Sequence, residues 1–488
     1  MFFWGLTFWQ LFALIQHELL LFAGIFFLIG ALDDLAVDFT WLWLKLTGRA
    51  DAAKFDREEI SAAKLSGEVA VFIPAWSEAS VIGDTIRHML KVWPQPNLRL
   101  YVGCYPNDPA TIAAVIAARP DDPRLRLVIN HRPGPTTKAD CLNRLYQALC
   151  EDETRLGRKA HMVVFHDAED MVDQAGLVML DRTIGRTANK AAFAQLPVLP
   201  LPQKNSRWIG SHYCEEFAEA HGKAMVVRGA LGAALPAAGV GCAVERHALD
   251  GLAQARSAEA NGAGLPFEAD SLTEDYEMGM GVAAQGGRCR FVRARSSEGD
   301  LIATRAYFPA RLDHVVTQKT RWVHGIALQG WDRLGWTNNW VEGWMRLRDR
   351  RGPLSAFVLM VGYVLLALSG LGFAASQLGY GTSVELSTFT KFLLWANLAA
   401  LCWRVVMRFA FTAREYGWVE GIRAVLRMPV ANIIAIMSGR RAVMAYCRTL
   451  MGSAIVWDKT PHFAHPTRQS DRGDTAALGS PAFAKKPA

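Results

Sequence analysis

Apolar residues divide this chain before any motif does. From Met1 to Leu32 nearly every position is hydrophobic, interrupted by residues such as His17 and Glu18, and no Lys or Arg occurs before Lys45. A secretory leader would begin basic and end on small residues at a cleavage site. Neither feature is present, so the stretch reads as a retained anchor over residues 10–32. Leu35–Leu46, carrying Trp41, Trp43 and Lys45, has the character of an interfacial helix. Lys45, Arg49, Lys54 and Arg57 then mark the cytoplasmic side and leave the N-terminus outside.

From residue 68 the period changes. Short apolar runs at Val69–Ile73, Leu98–Gly103, Leu125–Ile129 and Met162–Phe165 alternate with helical patterns at 79–93, 109–118 and 136–150. That alternation predicts βαβ units and a parallel sheet. Residues 350–353, Arg-Arg-Gly-Pro, close the region. Leu354–Ala374 carries no charge and is long enough to cross a bilayer. Arg346, Arg348, Arg350 and Arg351 precede it, so it is expected to run outward. A second span over Phe389–Phe409 has Arg404, Arg408 and Arg414 near its far end and returns the chain to the cytoplasm. Trp418–Ser438 contains Glu420, Arg423, Arg427 and Pro429, which suits an amphipathic helix lying along the membrane. The organisation is thus 1–46 membrane and interfacial helices, 47–350 a cytoplasmic domain, 351–457 further membrane and interfacial helices, and 458–488 a polar, disordered tail. No internal repeat is evident.

Composition agrees: 51% of residues are hydrophobic and 20% charged, too apolar for an ordinary soluble enzyme. The net charge of +7 brings no arginine-rich tail, and part of it is the cluster beside an apolar span. Membrane orientation explains that cluster, and nucleic acid is not an expected partner. The eight cysteines form no CxxC pair and are expected to be reduced core residues.

Chemistry collects where the strands end. Ligands of open α/β sheets bind at the carboxyl ends of strands. His166-Asp167-Ala168-Glu169-Asp170 follows the fourth strand, and its hard oxygens suit Mg²⁺ or Mn²⁺. Pro74-Ala75-Trp76-Ser77-Glu78 follows the first and puts Glu78 in the same crevice; Ser77 and Glu78 would equally suit a helix cap. Tyr105-Pro106-Asn107-Asp108-Pro109 follows the second, in residues that also make ordinary turns. The third leads into Arg132-Pro133-Gly134-Pro135-Thr136-Thr137-Lys138, two cations and a helix N-terminus suited to an anion, without the spacing of a phosphate-binding P-loop. His166 reads as a metal ligand or a satisfied core residue. Asp33 and Asp34 read as a lining for a polymer path or as a cap at the interface.

The motifs PAWSE, the aspartate of YPNDP, KADCLN, HDAED, Leu272-Thr273-Glu274-Asp275-Tyr276-Glu277 and Gln318-Lys319-Thr320-Arg321-Trp322 stand in the order found in membrane-embedded processive glycosyltransferases of family 2, which the chain resembles. Cellulose and hyaluronan synthases are members. The resemblance is closer to the glycosyltransferase half of the phage-adsorption protein B type, through YPNDPAT, RPGPTTKADCLN, HDAED, AGVG, SLTEDY and Trp457-Asp458-Lys459-Thr460, and covers residues 20–462.

What the resemblance implies is a GT-A fold, α/β and doubly wound in the Rossmann manner, with transmembrane helices. Glu78 and Asp108 would hold the base and ribose of a nucleoside diphosphate sugar, Lys138 its phosphates, and Asp167 and Glu169 a Mg or Mn ion. Here Glu169 stands where the family usually has Asp, and Ser77 where it has Asn. Asp275 would be the catalytic base, unless it caps a helix. Gln318, Arg321 and Trp322 would close over the diphosphate and the glycan acceptor, unless Trp322 packs at the membrane interface. With one base and no second nucleophilic carboxylate, a single displacement with inversion is expected. The expected activity is extension of an exported polysaccharide at the bacterial inner membrane, with the lipid bilayer and an outer-membrane or periplasmic export partner. Two alternatives are a non-processive transferase acting on a polyprenyl phosphate and a membrane scaffold or phage-receptor component with an idle site. The resemblance also implies a C-terminal domain that binds a cyclic dinucleotide in longer relatives; the short polar stretch after Trp457 is expected to lack it.

Overall fold

In the computed structural model, residues 7–50, 52–258, 264–380, 386–453 and 465–467 are described. The chain enters through helix α1, Phe8–Leu46, 39 residues without a break. At 1.5 Å per residue it is about 58 Å long, well beyond a bilayer core of about 30 Å. The expected division into an anchor and a separate interfacial helix is therefore corrected. The second half of α1 stays helical because it has a surface to pack on: Val37 and Leu44 are buried with Val227, and Trp41 meets Phe411 edge-on.

A seven-stranded sheet organises the globular part. Its strands are β1 Val69–Pro74, β2 Leu98–Cys104, β3 Leu125–Ile129, β4 Met162–Phe165, β5 Phe193–Gln195, β6 Cys242–Glu245 and β7 Cys289–Phe291, in the order β3-β2-β1-β4-β6-β5-β7. The first four are parallel, as the alternating pattern predicts. Beyond β4 the sheet is mixed, because β6 runs antiparallel to both β4 and β5. Alternation within β1 sends Val69, Val71 and Ile73 to one core, and Ala70 and Phe72 to the other. Both faces are covered by helices, so the sheet is closed to water on each side.

Helices α2 Ile82–Val92, α3 Pro109–Ala118 and α4 Lys138–Leu156 connect the first strands. Ile82, Ile86, Met89 and Leu90 form the buried stripe of α2. Thr137 caps α4 by accepting the Asp140 amide at 3.1 Å, and Gly157 ends it at φ 67°. Register keeps the loops in step: Pro74 lies opposite Gly103, Cys104 opposite Ile129 and Phe72 opposite Phe165. The loops carrying Glu78, Asp108, Lys138 and Asp167 consequently leave from one edge of the sheet.

Helices α5 His212–Glu219, α6 Glu274–Ala284 and α7 Leu312–Trp322 follow, and α5 and α7 each continue into a π-helical segment, Ala220–Ala224 and Val323–Gln329. After α8 Trp340–Arg350 come α9 Gly352–Gln377 and α10 Thr388–Tyr416, which with α1 are long and apolar enough to cross a membrane. Trp418–Ser438, expected to be one helix along the membrane, is instead α11 Trp418–Leu426 and the start of α12 Met428–Leu450, bent by 51°. By length and composition this pair has the make-up of a broken span or a re-entrant element. The break is held by Arg427, fully buried between Glu215 at 2.7 Å and Glu420 at 2.6 Å. Asp34 in the second half of α1 pairs with Arg351 at 2.6 Å and Arg404 at 2.8 Å, while Asp33 is bonded by Trp344, Arg348 and Arg351. Both aspartates thus serve to join helices. Cys402 and Cys447 are exposed on α10 and α12, which corrects the expectation that every cysteine is a core residue. The expected tail, 458–488, lies outside the described residues except at 465–467.

Candidate active site

Alternation within the acidic run decides which carboxylates face outward. His166, Ala168 and Asp170 are buried, whereas Asp167 and Glu169 are partly exposed. His166 Nδ1 lies 2.8 Å from Asp170 Oδ2, and that same oxygen accepts the Asp167 amide at 3.0 Å. Burial, against the pull of His166, raises the Asp170 carboxyl above its usual range. The pair stiffens the loop from below, and His166 is the core residue of the two readings offered for it.

Above this support, Lys138 at the start of α4 reaches Asp167 at 2.5 Å and lies 3.9 Å from Glu274. Burial works against its charge, but the carboxylates of Asp167, Glu274 and Asp275 outweigh burial and hold the amine above its usual range. Asp275, in the first turn of α6, is raised by burial despite Lys138. Glu274 is pushed up to about 7 by burial and by Asp275, again against Lys138. The Asp275 Oδ1 accepts the next amide, Tyr276 N, at 2.7 Å, which leaves Oδ2 for other work. Three segments more than a hundred residues apart at their extremes thus converge on one cation.

Gly239 is the floor of that convergence. Its φ is +79°, and a Cβ built there would stand 2.5 Å from Asp275 Oδ2 and 3.4 Å from Lys138 Nζ. Gln195, fully buried, fixes the segment by accepting the Ala238 amide and donating to the Val240 carbonyl, both at 2.8 Å. Sequence reasoning assigned no role to this glycine, although the Gly-x-Gly spacing within AGVG was a usable signal.

The first three loops make a second cluster. Ser77 has φ +54°, a conformation that costs a non-glycine residue about 1 kcal/mol or more. Its amide donates to Asp108 Oδ2 at 2.6 Å, and Asp108 Oδ1 accepts from Thr111 at 3.3 Å as the cap of α3. The Glu78 amide donates to Thr111 Oγ1 at 3.0 Å. Trp76 packs edge-on to Tyr105, with ring centroids 5.1 Å apart, and against Gly134, where a Cβ would collide with the indole at 2.5 Å. Asn107 exchanges two 2.7 Å hydrogen bonds with Gly134. The Glu78 backbone and the Asp108 carboxylate are therefore tied together through Ser77 and Thr111, and the Asp108 carboxylate is committed to holding the loops.

The last motif lies on α7. Gln318 Oε1 accepts a 2.6 Å hydrogen bond from Tyr213, and Trp322 meets Tyr213 edge-on at 6.0 Å in an apolar cluster with Val315 and Ile434. Arg321 favours the charged forms of Glu274 and Asp275, and its Nε is buried without a hydrogen-bond partner. The π-helical continuation clamps the loop before α6: Gln329 Oε1 accepts from Leu272 at 3.1 Å, and a Cβ on Gly325 would stand 2.5 Å from Thr273 Oγ1. Arg321 and Asp275 are brought to one place; Gln318 and Trp322 are turned toward α5.

A cation at the start of α4 that meets Asp167 after β4 and Glu274 and Asp275 in the first turn of α6, with Arg321 acting on the same carboxylates, suits transfer of a group bearing a diphosphate. Residues 66–325, more than half of the chain, match the family described as Glycosyltransferase like family 2. The chain belongs to glycosyltransferase family 2, and its domain has the GT-A fold. Among curated proteins it is similar to Bacteriophage adsorption protein B of Escherichia coli strain K12 and to Bacteriophage N4 adsorption protein B of Escherichia coli O157:H7. Each is 31% identical over an alignment that covers 92% of this chain and 62% of the relative. The chain thus spans under two thirds of their length. Among solved structures it is similar to the mannosyltransferase PcManGT from Pyrobaculum calidifontis in complex with GDP-Man and Mn2+. The TM-score is 0.51 and the identity 16%, over 85% of this chain and 99% of that one, which speaks for the fold alone.

Proposed function

We propose that this protein is an inverting, membrane-embedded glycosyltransferase that extends an exported polysaccharide from a nucleoside diphosphate sugar, with its catalytic domain in the cytoplasm. The observation that carries this reading is the meeting of Asp275, Lys138 and Asp167 around Gly239, which sets a half-buried carboxylate beside a cation able to hold a diphosphate. Lys138, the N-terminus of α4 and Arg321 receive the diphosphate. Glu78 and Asp108, in the loops that also carry Trp76 and Tyr105, receive the nucleoside. Asp275 takes the proton of the acceptor hydroxyl as its oxygen attacks the anomeric carbon from the face opposite the diphosphate. The bond from that carbon to the diphosphate oxygen breaks, the nucleoside diphosphate leaves with the bonding pair, and the configuration inverts.

Among the described residues no group of three or more His, Cys, Asp or Glu side chains could hold a metal ion by itself. Asp167 and Glu169 nevertheless fit a shared site, since Mg²⁺ is commonly held by one or two carboxylates together with substrate phosphates. When bound there, Mg²⁺ or Mn²⁺ supplies charge neutralisation on the departing diphosphate. The three long apolar helices support a multi-pass location in a bacterial inner membrane, with the basic residues that flank them facing the cytoplasm. An export partner in the periplasm or outer membrane fits a product that leaves the cell.

The test is to reconstitute the full chain in lipid nanodiscs, supply a panel of sugar nucleotides, measure released nucleoside diphosphate and size the glycan. One sugar nucleotide should be consumed with growth of a long product. Products of a single added sugar would overturn processivity, and no turnover across the panel would overturn the catalytic reading.

A further inference from the structure

Helix α5 presents carboxylates at 215, 216 and 219, and each meets a cation from a different element. Glu215 binds Arg427 at the bend between α11 and α12, 2.7 Å away with both side chains fully buried. Glu219 lies 3.4 Å from Arg408 of α10 and 2.9 Å from Lys223, which in turn reaches Asp38 of α1 at 2.5 Å. Glu216 pairs with Lys319, inside the Gln318–Trp322 motif. Lys319 Nζ also sits over two rings, 5.0 Å from the centroid of Tyr213 and 5.9 Å from that of Trp322. On the next turn, Tyr213 is fully buried and donates to Gln318. One short helix is thus bolted to α1, α10 and the α11–α12 bend on one side, and to α7 on the other.

We propose that Tyr213 and Glu216 are positioning residues that set the orientation of Gln318 and Trp322 through Lys319, with α5 braced against the membrane helices. The proposal rests on the reading of that motif as closing over the diphosphate and acceptor. The energetics separate positioning from folding. The Glu216 side chain is 43% exposed, and an ion pair at such a site adds little to stability. Removing it should therefore spare the fold while releasing Lys319 from its place over the Tyr213 and Trp322 rings. The immobile anchors, Glu215 and Glu219, remain. A displacement of about 1 Å at a group that holds substrate costs as much as 10²-fold in rate.

The test uses Glu216→Gln and Lys319→Met in the full-length chain in nanodiscs, with Lys319→Arg as the conservative variant. Binding of UDP and GDP should stay within a few-fold of wild type, because Glu78, Asp108 and Lys138 are untouched and only the closing motif shifts. Turnover of the sugar nucleotide found active should fall by about 10²-fold, with a raised KM for acceptor glycan, and Lys319→Arg should recover most of it. Hydrogen–deuterium exchange over residues 312–329 should quicken in both neutral variants while exchange in the sheet stays unchanged. Wild-type turnover with wild-type exchange in Glu216→Gln and Lys319→Met would overturn the proposal. The exchange measurement needs no activity, so a chain that consumes no sugar nucleotide yet shows faster exchange would uphold the positioning contact and sink the catalytic reading alone.

Discussion

Gly239→Ala adds one methyl group, and the structure says where it must go. The Cβ would lie 2.5 Å from Asp275 Oδ2, whereas ordinary contact between carbon and oxygen begins at about 3.3 Å, so the carboxylate must retreat by about 0.8 Å. Lys138 Nζ, at 3.4 Å, is already at contact distance and need hardly move. Alanine at φ +79° adds about 1–2 kcal/mol of backbone strain, a tolerable loss for a domain with two cores. A retreat near 1 Å by the general base should cost about 10²-fold in turnover, since the oxygen must meet the acceptor proton within hydrogen-bond reach. Donor affinity should stay within a few-fold, because the cation and loops that hold the diphosphate are in place. The assay is nucleoside diphosphate release by the reconstituted variant, beside equilibrium binding of the same nucleotide. Near-normal turnover in a folded Gly239→Ala chain would mean that Asp275 does not act from the position it occupies here.

The remaining predictions concern the same apparatus. Asp275→Asn keeps the shape and the hydrogen bond from Tyr276 but cannot accept a proton, so turnover should drop by about 10²-fold to 10⁴-fold with donor affinity retained; a normally polymerising Asn variant would place the base elsewhere. Because burial raises Asp275, the base is lost to protonation at a higher pH than an ordinary carboxylate. Turnover should then decline at a pH above the ordinary carboxylate range, and a decline centred near about pH 4 would refute the raised-base argument. Asp167→Ala should lose donor binding and turnover together, and excess chelator should stop wild-type turnover; full activity in chelator would remove the metal from the mechanism. Arg427→Met strands Glu215 and Glu420 in a dry site and should destabilise the chain by about 3–5 kcal/mol, measured by thermal unfolding in nanodiscs, whereas a change under about 1 kcal/mol would show that water reaches the bend.

Local pattern accounts for the first half of the catalytic domain. β4 spans Met162–Phe165 as its apolar run predicts, and the loops after β1, β2, β3 and β4 reach one edge because parallel strands joined by short helices have little alternative. The same logic made Glu78, Asp108, Lys138 and Asp167 legible as neighbours before any coordinates. The family was legible too, since order along the chain is a property of sequence. What local pattern cannot carry is the closure of long loops. That β6 runs antiparallel, that Gly239 underlies Asp275 and that Tyr213 holds Gln318 each depend on partners dozens or more residues away, selected by the packing of whole elements. The boundaries of α1 failed for the same reason. Its amino acids mark an apolar stretch and then an interfacial one, but the helix runs on to Leu46 because Val37 and Leu44 find Val227 to bury against, and no window of the sequence contains both sides of that contact.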